Sequence, residues 1–209
     1  MTRTVYCRTN LVFQIGQVPT GSLFAGEIDA VGNDVSTFAV GERVFAQTDF
    51  RMGAYAEYRC FAAEPGEEQG MIANMPENLS FEEAASLPLG GLEALKYLRE
   101  ADVQPGETVL IIGSAGSIGT LAMLRRNGRL ILANPRMSRM MKGWRTVGGG
   151  KRVIVGLKNR SNDLAVLKEL TEFGVLRPVV DRSFALEEIR DAHRYVESGS
   201  KKGSLVIMA

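Results

Sequence analysis

Apolar and polar residues alternate along Phe24-Ala-Gly-Glu-Ile-Asp-Ala-Val31, which sets Glu27 and Asp29 on one face of a strand and Ile28 and Ala30 on the other. Gly32-Asn33-Asp34 is a turn, and Gly41-Glu42 precedes a second predicted strand, Arg43 to Ala46. Gly53 opens a third, Ala54 to Phe61, with Ala54, Ala56, Tyr58 and Cys60 on one face. Short strands parted by turn residues predict a small barrel or sandwich. Met1 to Val18 has no clear period, and Glu64 to Gly70 reads as a solvated acidic loop.

The period changes at Ser80. Ser80-Phe-Glu-Glu83 is a capping box ahead of an apolar run that Pro88 is expected to break. Gly90 to Glu100 then resumes as a helix with Leu92, Leu95 and Leu98 on one side. A Pro105-Gly106 turn launches Val109 to Ile112, an unbroken apolar run that fits a strand buried on both faces. Small residues follow at Gly113, Ser114, Ala115, Gly116, Ser117 and Gly119, with Ile118 among them, and a helix is expected from near Ser117. Strand, glycine turn and helix are the setting of a dinucleotide fingerprint, in which exposed backbone N–H groups meet a phosphate. The spacing Gly113-x-x-Gly116-x-x-Gly119 is not the strict form, and an ordinary strand–helix turn is the other reading.

Beyond it come predicted strands at Arg129 to Ala133, Val153 to Val155, Val179-Val180 and Leu205 to Met208. Helices are predicted at Asp163 to Phe173, ended by Gly174, and at Leu186 to Ser198, ended by Gly199. Met137, Met140 and Met141 have helical spacing and read as core or interface packing. Strand and helix alternate from Glu107 onward, so the fold class is α/β, with residues 1–85 forming the β-rich part and 86–209 the α/β part. Strands near residues 109, 130, 154, 179 and 206 can form a five-stranded sheet.

Composition narrows the classes. At 45% hydrophobic, 23% charged and a net charge of +1, the 209-residue chain is that of a soluble globular protein with no overall pull toward nucleic acid or membrane. No apolar run reaches membrane-spanning length and no signal-peptide core opens the chain. Cys7 and Cys60 read as reduced thiols of a cytoplasmic protein. One histidine, His193, and no C-x-x-C leave no structural zinc site, and no metal is expected. His193 itself reads as structural or surface-lying.

Three stretches, Phe24-Ala-Gly-Glu-Ile-Asp-Ala-Val-Gly32, Phe38-x-x-Gly-Glu-Arg-Val-Phe45 and Gly53-Ala-Tyr-Ala-Glu-Tyr58, resemble the GroES-like domain of medium-chain dehydrogenase/reductases. Ile72-Ala-Asn-Met-Pro-Glu-Asn-Leu-Ser-Phe-Glu-Glu-Ala-Ala85, Gly90-Gly-Leu-x-Ala-Leu95 and Gln104-Pro-Gly106 continue the resemblance, as do Phe184-x-Leu-Glu-x-Ile189 and Lys202-Gly203. The subgroup it is most similar to is the zinc-independent quinone oxidoreductase-like enzymes. The resemblance implies a GroES-like β-barrel (residues 1–85) and a Rossmann-like nucleotide-binding domain (86–209). It also implies hydride transfer from NADPH to a small-molecule acceptor, a quinone, enone or similar conjugated carbonyl.

The chain departs from that family in several places. The family barrel begins upstream of Gly21, Leu23 stands where an acid is usual, and Glu93 where threonine is common. After Gly119 the chain runs almost directly into a segment like that preceding a later strand, so roughly 70 residues of the two-halved domain are missing. A non-catalytic remnant, or an interaction partner of a full-length relative, is therefore the second reading. Uncovered sheet edges would then favour a homodimer.

Between Thr108 and Asn162 there are eleven Lys or Arg residues and no Asp or Glu. No carboxylate follows the glycines to meet a ribose hydroxyl, whereas Arg136 or Arg139, beside Asn134, would suit a 2′-phosphate; a solvated basic face is the alternative. Phe50 and Tyr55 are candidate walls of a substrate pocket, or barrel packing.

Overall fold

β-Branched and aromatic residues at alternate positions make the first part of the chain a sheet, and a computed structural model shows its pairing. The structure describes residues 4–9, 21–48, 53–64, 70–102, 104, 129–131, 152–154 and 162–208. β1 (Thr4–Thr9), β2 (Leu23–Val31), β3 (Arg43–Gln47), β4 (Tyr58–Ala62) and β5 (Met71–Asn74) form one antiparallel sheet in the order β4-β1-β2-β3-β5. The strands expected at Phe24–Val31 and Arg43–Ala46 are present. β1 and β5 are additions, and β1 lies inside the sheet, between β2 and β4. Among the described strands the order is open, with β4 and β5 as its ends.

The faces follow the alternation with one interruption. Tyr6 pairs with Ala30 but Cys7 with Ile28, so Asp29 is an extra residue in β2. A bulge of this kind shifts the phase of the strand by one. Glu27 and Asp29 are exposed and Ile28 buried, as the alternation predicts, but past the bulge Ala30 is exposed too. β4 begins at Tyr58, later than expected, because residues 54–57 bend: Gly53 has a φ of +87° and Ala56 N–H donates to the Ala54 oxygen at 2.9 Å.

The C-terminal residues return to this sheet. β8 (Val180–Ala185), a 3-10 turn (Leu186–Glu188), α3 (Ile189–Glu197) and β9 (Ser204–Met208) make a β-α-β unit whose strands pair in parallel. Ala192, Leu205 and Ile207 share a buried cluster with Cys7, Phe24, Ile28, Val44, Ala46 and Phe61. Each large apolar side chain so buried contributes about 1.5–3 kcal/mol. Of the strands that could share one sheet, those near 180 and 206 pair with each other and those near 130 and 154 with each other, while the one near 109 lies outside the described residues. Leu205 and Ile207 pack into the core of the antiparallel sheet. Residues 161–209 belong to one compact unit with 1–89, whereas the sequence boundary grouped them with 86–160.

α2 (Asp163–Glu172) joins the same unit. Leu164, Leu167 and Thr171 are its buried side, and the Asn78 side-chain amide donates to the Thr171 oxygen at 3.0 Å. Gly174 and Gly199 close α2 and α3 with φ of +70° and +72°, as predicted.

α1 (Phe81–Ala101) starts on the predicted capping box: Glu83 N–H donates to Ser80 Oγ at 3.3 Å and Ser80 N–H to Glu83 Oε2 at 3.0 Å. Pro88 does not end it, which corrects the expectation. A proline removes one N–H from the ladder, and twenty other helical residues outweigh that loss here. The second unit, residues 90–160, holds the rest of α1 and a parallel pair, β6 (Arg129–Ile131) with β7 (Arg152–Ile154). Parallel pairs, an antiparallel sheet and helices together make the fold mixed α/β.

Candidate functional site

Of the candidate cofactor-binding and pocket residues named in the sequence, Tyr55 is the one whose surroundings are described. Phe50, Gly113, Ser114, Ala115, Gly116, Ser117, Ile118, Gly119, Asn134, Arg136 and Arg139 lie outside the described residues.

Tyr55 sits at a corner of the antiparallel sheet. Thr48 N–H, just past β3, donates to the Ser22 oxygen at 2.6 Å, and Ala54 N–H donates to the Gly21 oxygen at 3.2 Å. Gly21 and Gly53, at φ of +63° and +87°, give the corner its two left-handed turns. Tyr55 is half-buried and packs against the central cluster. Its hydroxyl meets His193 Nε2 at 3.5 Å, at the long end of hydrogen-bonding range. Burial pushes the phenol well above its ordinary value, so it keeps its proton at neutral pH.

The sequence marks His193 as structural or surface-lying, with no partner near it in the chain. The structure supplies one from 138 residues away. Only the fold could reveal it: α3 is held by Ala192 in the core, and the neighbouring position is thereby turned toward Tyr55.

A second polar group lies on α1. Lys96, 9% exposed, is paired with Glu93 at 2.6 Å. Burial, then the charge and hydrogen bonding of Glu93, push the Tyr97 phenol to about 12. Lys96 also lies 5.3 Å from the Tyr97 ring centre. Glu93, a departure noted in the sequence, thus has two partners within its own helix. On the C-terminal unit, Asp181 accepts from the Tyr195 hydroxyl at 3.1 Å and the Lys202 N–H at 3.0 Å, and Arg182 stacks on Tyr195. Those contacts bind β8 to α3 and to the turn before β9.

Residues 93–207, more than half of the chain, match the family model described as zinc-binding dehydrogenase. The chain belongs to that family. A quinone oxidoreductase of Pseudomonas aeruginosa is 38% identical over 103 residues, 49% of this chain and 30% of that protein. The 2-methylene-furan-3-one reductase of Solanum lycopersicum is 24% identical over 244 aligned positions, 88% of this chain and 61% of the relative. Among solved structures, the quinone oxidoreductase of Coxiella burnetii superposes with a TM-score of 0.80 at 21% identity, covering 99% of this chain and 90% of that one. The resemblance to quinone oxidoreductase-like dehydrogenases read from the sequence is therefore borne out. The chain spans about a third of the length of the first curated relatives it matches.

The family's zinc finds no ligand set among the described residues. No three His, Cys, Asp or Glu side chains there come together to hold a metal ion. Cys7 is buried, Cys60 is exposed, and His193 Nε2 faces the Tyr55 hydroxyl. No helix among the described residues is long and apolar enough to cross a membrane.

Proposed function

We propose that this zinc-binding dehydrogenase family member is an oxidoreductase that transfers a hydride from NADPH to a quinone, enone or similar conjugated carbonyl, without a metal. The observation that carries this reading is the family match over residues 93–207, joined by relatives named quinone oxidoreductase and 2-methylene-furan-3-one reductase. NADPH supplies the hydride when bound. Gly113, Ser114, Ala115, Gly116, Ser117, Ile118 and Gly119 would cradle its pyrophosphate through backbone N–H groups. Asn134 and Arg136 would meet its ribose 2′-phosphate, in a stretch without any carboxylate. Phe50 and Tyr55 would wall the acceptor pocket. In this reading the sheet and C-terminal unit form a GroES-like half, the remainder is a shortened Rossmann-like half, and two free thiols suit a cytoplasmic setting.

Titrating the protein with NADPH and with NADH while following nicotinamide fluorescence tests it. NADPH is expected to bind more tightly by about 1–3 kcal/mol, the size of a charge-assisted hydrogen bond to phosphate. Gly116→Val should abolish binding, since a β-branched side chain blocks the phosphate's approach. Absence of NADPH binding would favour the second reading, a non-catalytic relative that associates with itself or with a full-length homologue.

A further inference from the structure

We draw no further inference here: the strongest candidate, the exposed apolar surface of Phe173, Val175 and Val179 on the connection between α2 and β8, carries nothing, because nothing among the described residues shows what covers it.

Discussion

The guanidinium of Arg43, in β3, donates from Nη2 to the backbone oxygen of Leu79, 2.9 Å away and 36 residues further on. The same group lies 3.7 Å from the Met75 sulfur and 4.6 Å from the centre of the Phe81 ring. One side chain therefore clasps the whole connection from β5 to α1. A lysine cannot reproduce this, since its compact ammonium offers no planar face to stack on the ring and no fork of donors. Arg43→Ala should cost about 1–2 kcal/mol, from one charged hydrogen bond and an exposed cation–π contact. Arg43→Lys should recover little of it. Urea denaturation of the two variants checks both statements.

Gly203 precedes β9 where the chain passes close to the residue before β8. A Cβ at position 203 would lie 2.7 Å from the Val179 oxygen and 3.2 Å from the Asp181 nitrogen. Both are backbone atoms, so no side chain can swing aside. The Ser204 N–H donates to that same Val179 oxygen at 2.8 Å, so moving the strand apart also breaks the pairing. Gly203→Ala is expected to destabilise by about 1–3 kcal/mol, the range for overpacked positions. Gly199→Ala makes a useful contrast: nothing lies within 4 Å, and its cost comes from a φ of +72° alone.

Cys7 and Cys60 should behave as two chemically distinct thiols. Cys60 is exposed, while Cys7 is buried in the core. Burial, aided by the charge of Cys60, pushes the Cys7 thiol from 9.0 to about 12. A thiol-specific disulfide reagent at mildly alkaline pH should label one thiol at once and the second only on unfolding. The same shift bears on stability. A folded-state value raised above the unfolded one gives stability that is complete below pH 9.0 and lost as pH rises toward about 12. Tyr97, raised from 10.0 to about 12, adds to the same alkaline loss. Cys7→Ala should flatten the alkaline limb of a plot of melting temperature against pH, though it starts from a lower plateau because it leaves a small cavity.

What was legible in the sequence were features built from neighbours in the chain. Ser80 and Glu83 announce the start of α1, Gly174 and Gly199 mark two helix ends, and alternation locates β2 and β3. β1 escaped because its apolar run, Val5-Tyr-Cys7, is only three residues long, too short to show a period. β5 is four residues long, too short for a period. Pro88 was expected to stop a helix, but that local penalty is small against the burial of Ala84, Ala85, Leu87 and Leu92. The return of β8 and β9 to the first sheet is a fact of topology. A run such as Leu205-Val-Ile207 says that a strand is buried, not which sheet buries it. For the same reason the candidate site was half visible. Tyr55 belongs to a recognisable motif, whereas His193 acquires meaning only across 138 residues.

At the acid end two described carboxylates are held below their ordinary values, Asp181 and Glu172, and Glu172 lies on the last turn of α2. Its carboxylate accepts from Lys168 Nζ and, at 3.1 Å, from the Glu77 N–H. The Lys168 hydrogen bond first, then that backbone N–H, hold Glu172 below its ordinary value of 4.5, against a small opposing effect of burial. A depressed carboxylate contributes stability that is present above its unfolded value and lost as pH falls through its folded one. The loss should therefore begin near pH 4.5 and continue below it. Its structural seat is the docking of α2 on the turn before α1, where the Asn78 amide also holds the Thr171 oxygen. Glu172→Gln keeps the size and an acceptor oxygen but cannot titrate, so it should lower the melting temperature slightly at neutral pH and flatten the acid limb. Lys168→Met removes the largest cause of the shift and should flatten that limb by more than deleting the Glu77 contact could. If both variants fall as steeply as wild type through that range, the acid sensitivity belongs to other carboxylates.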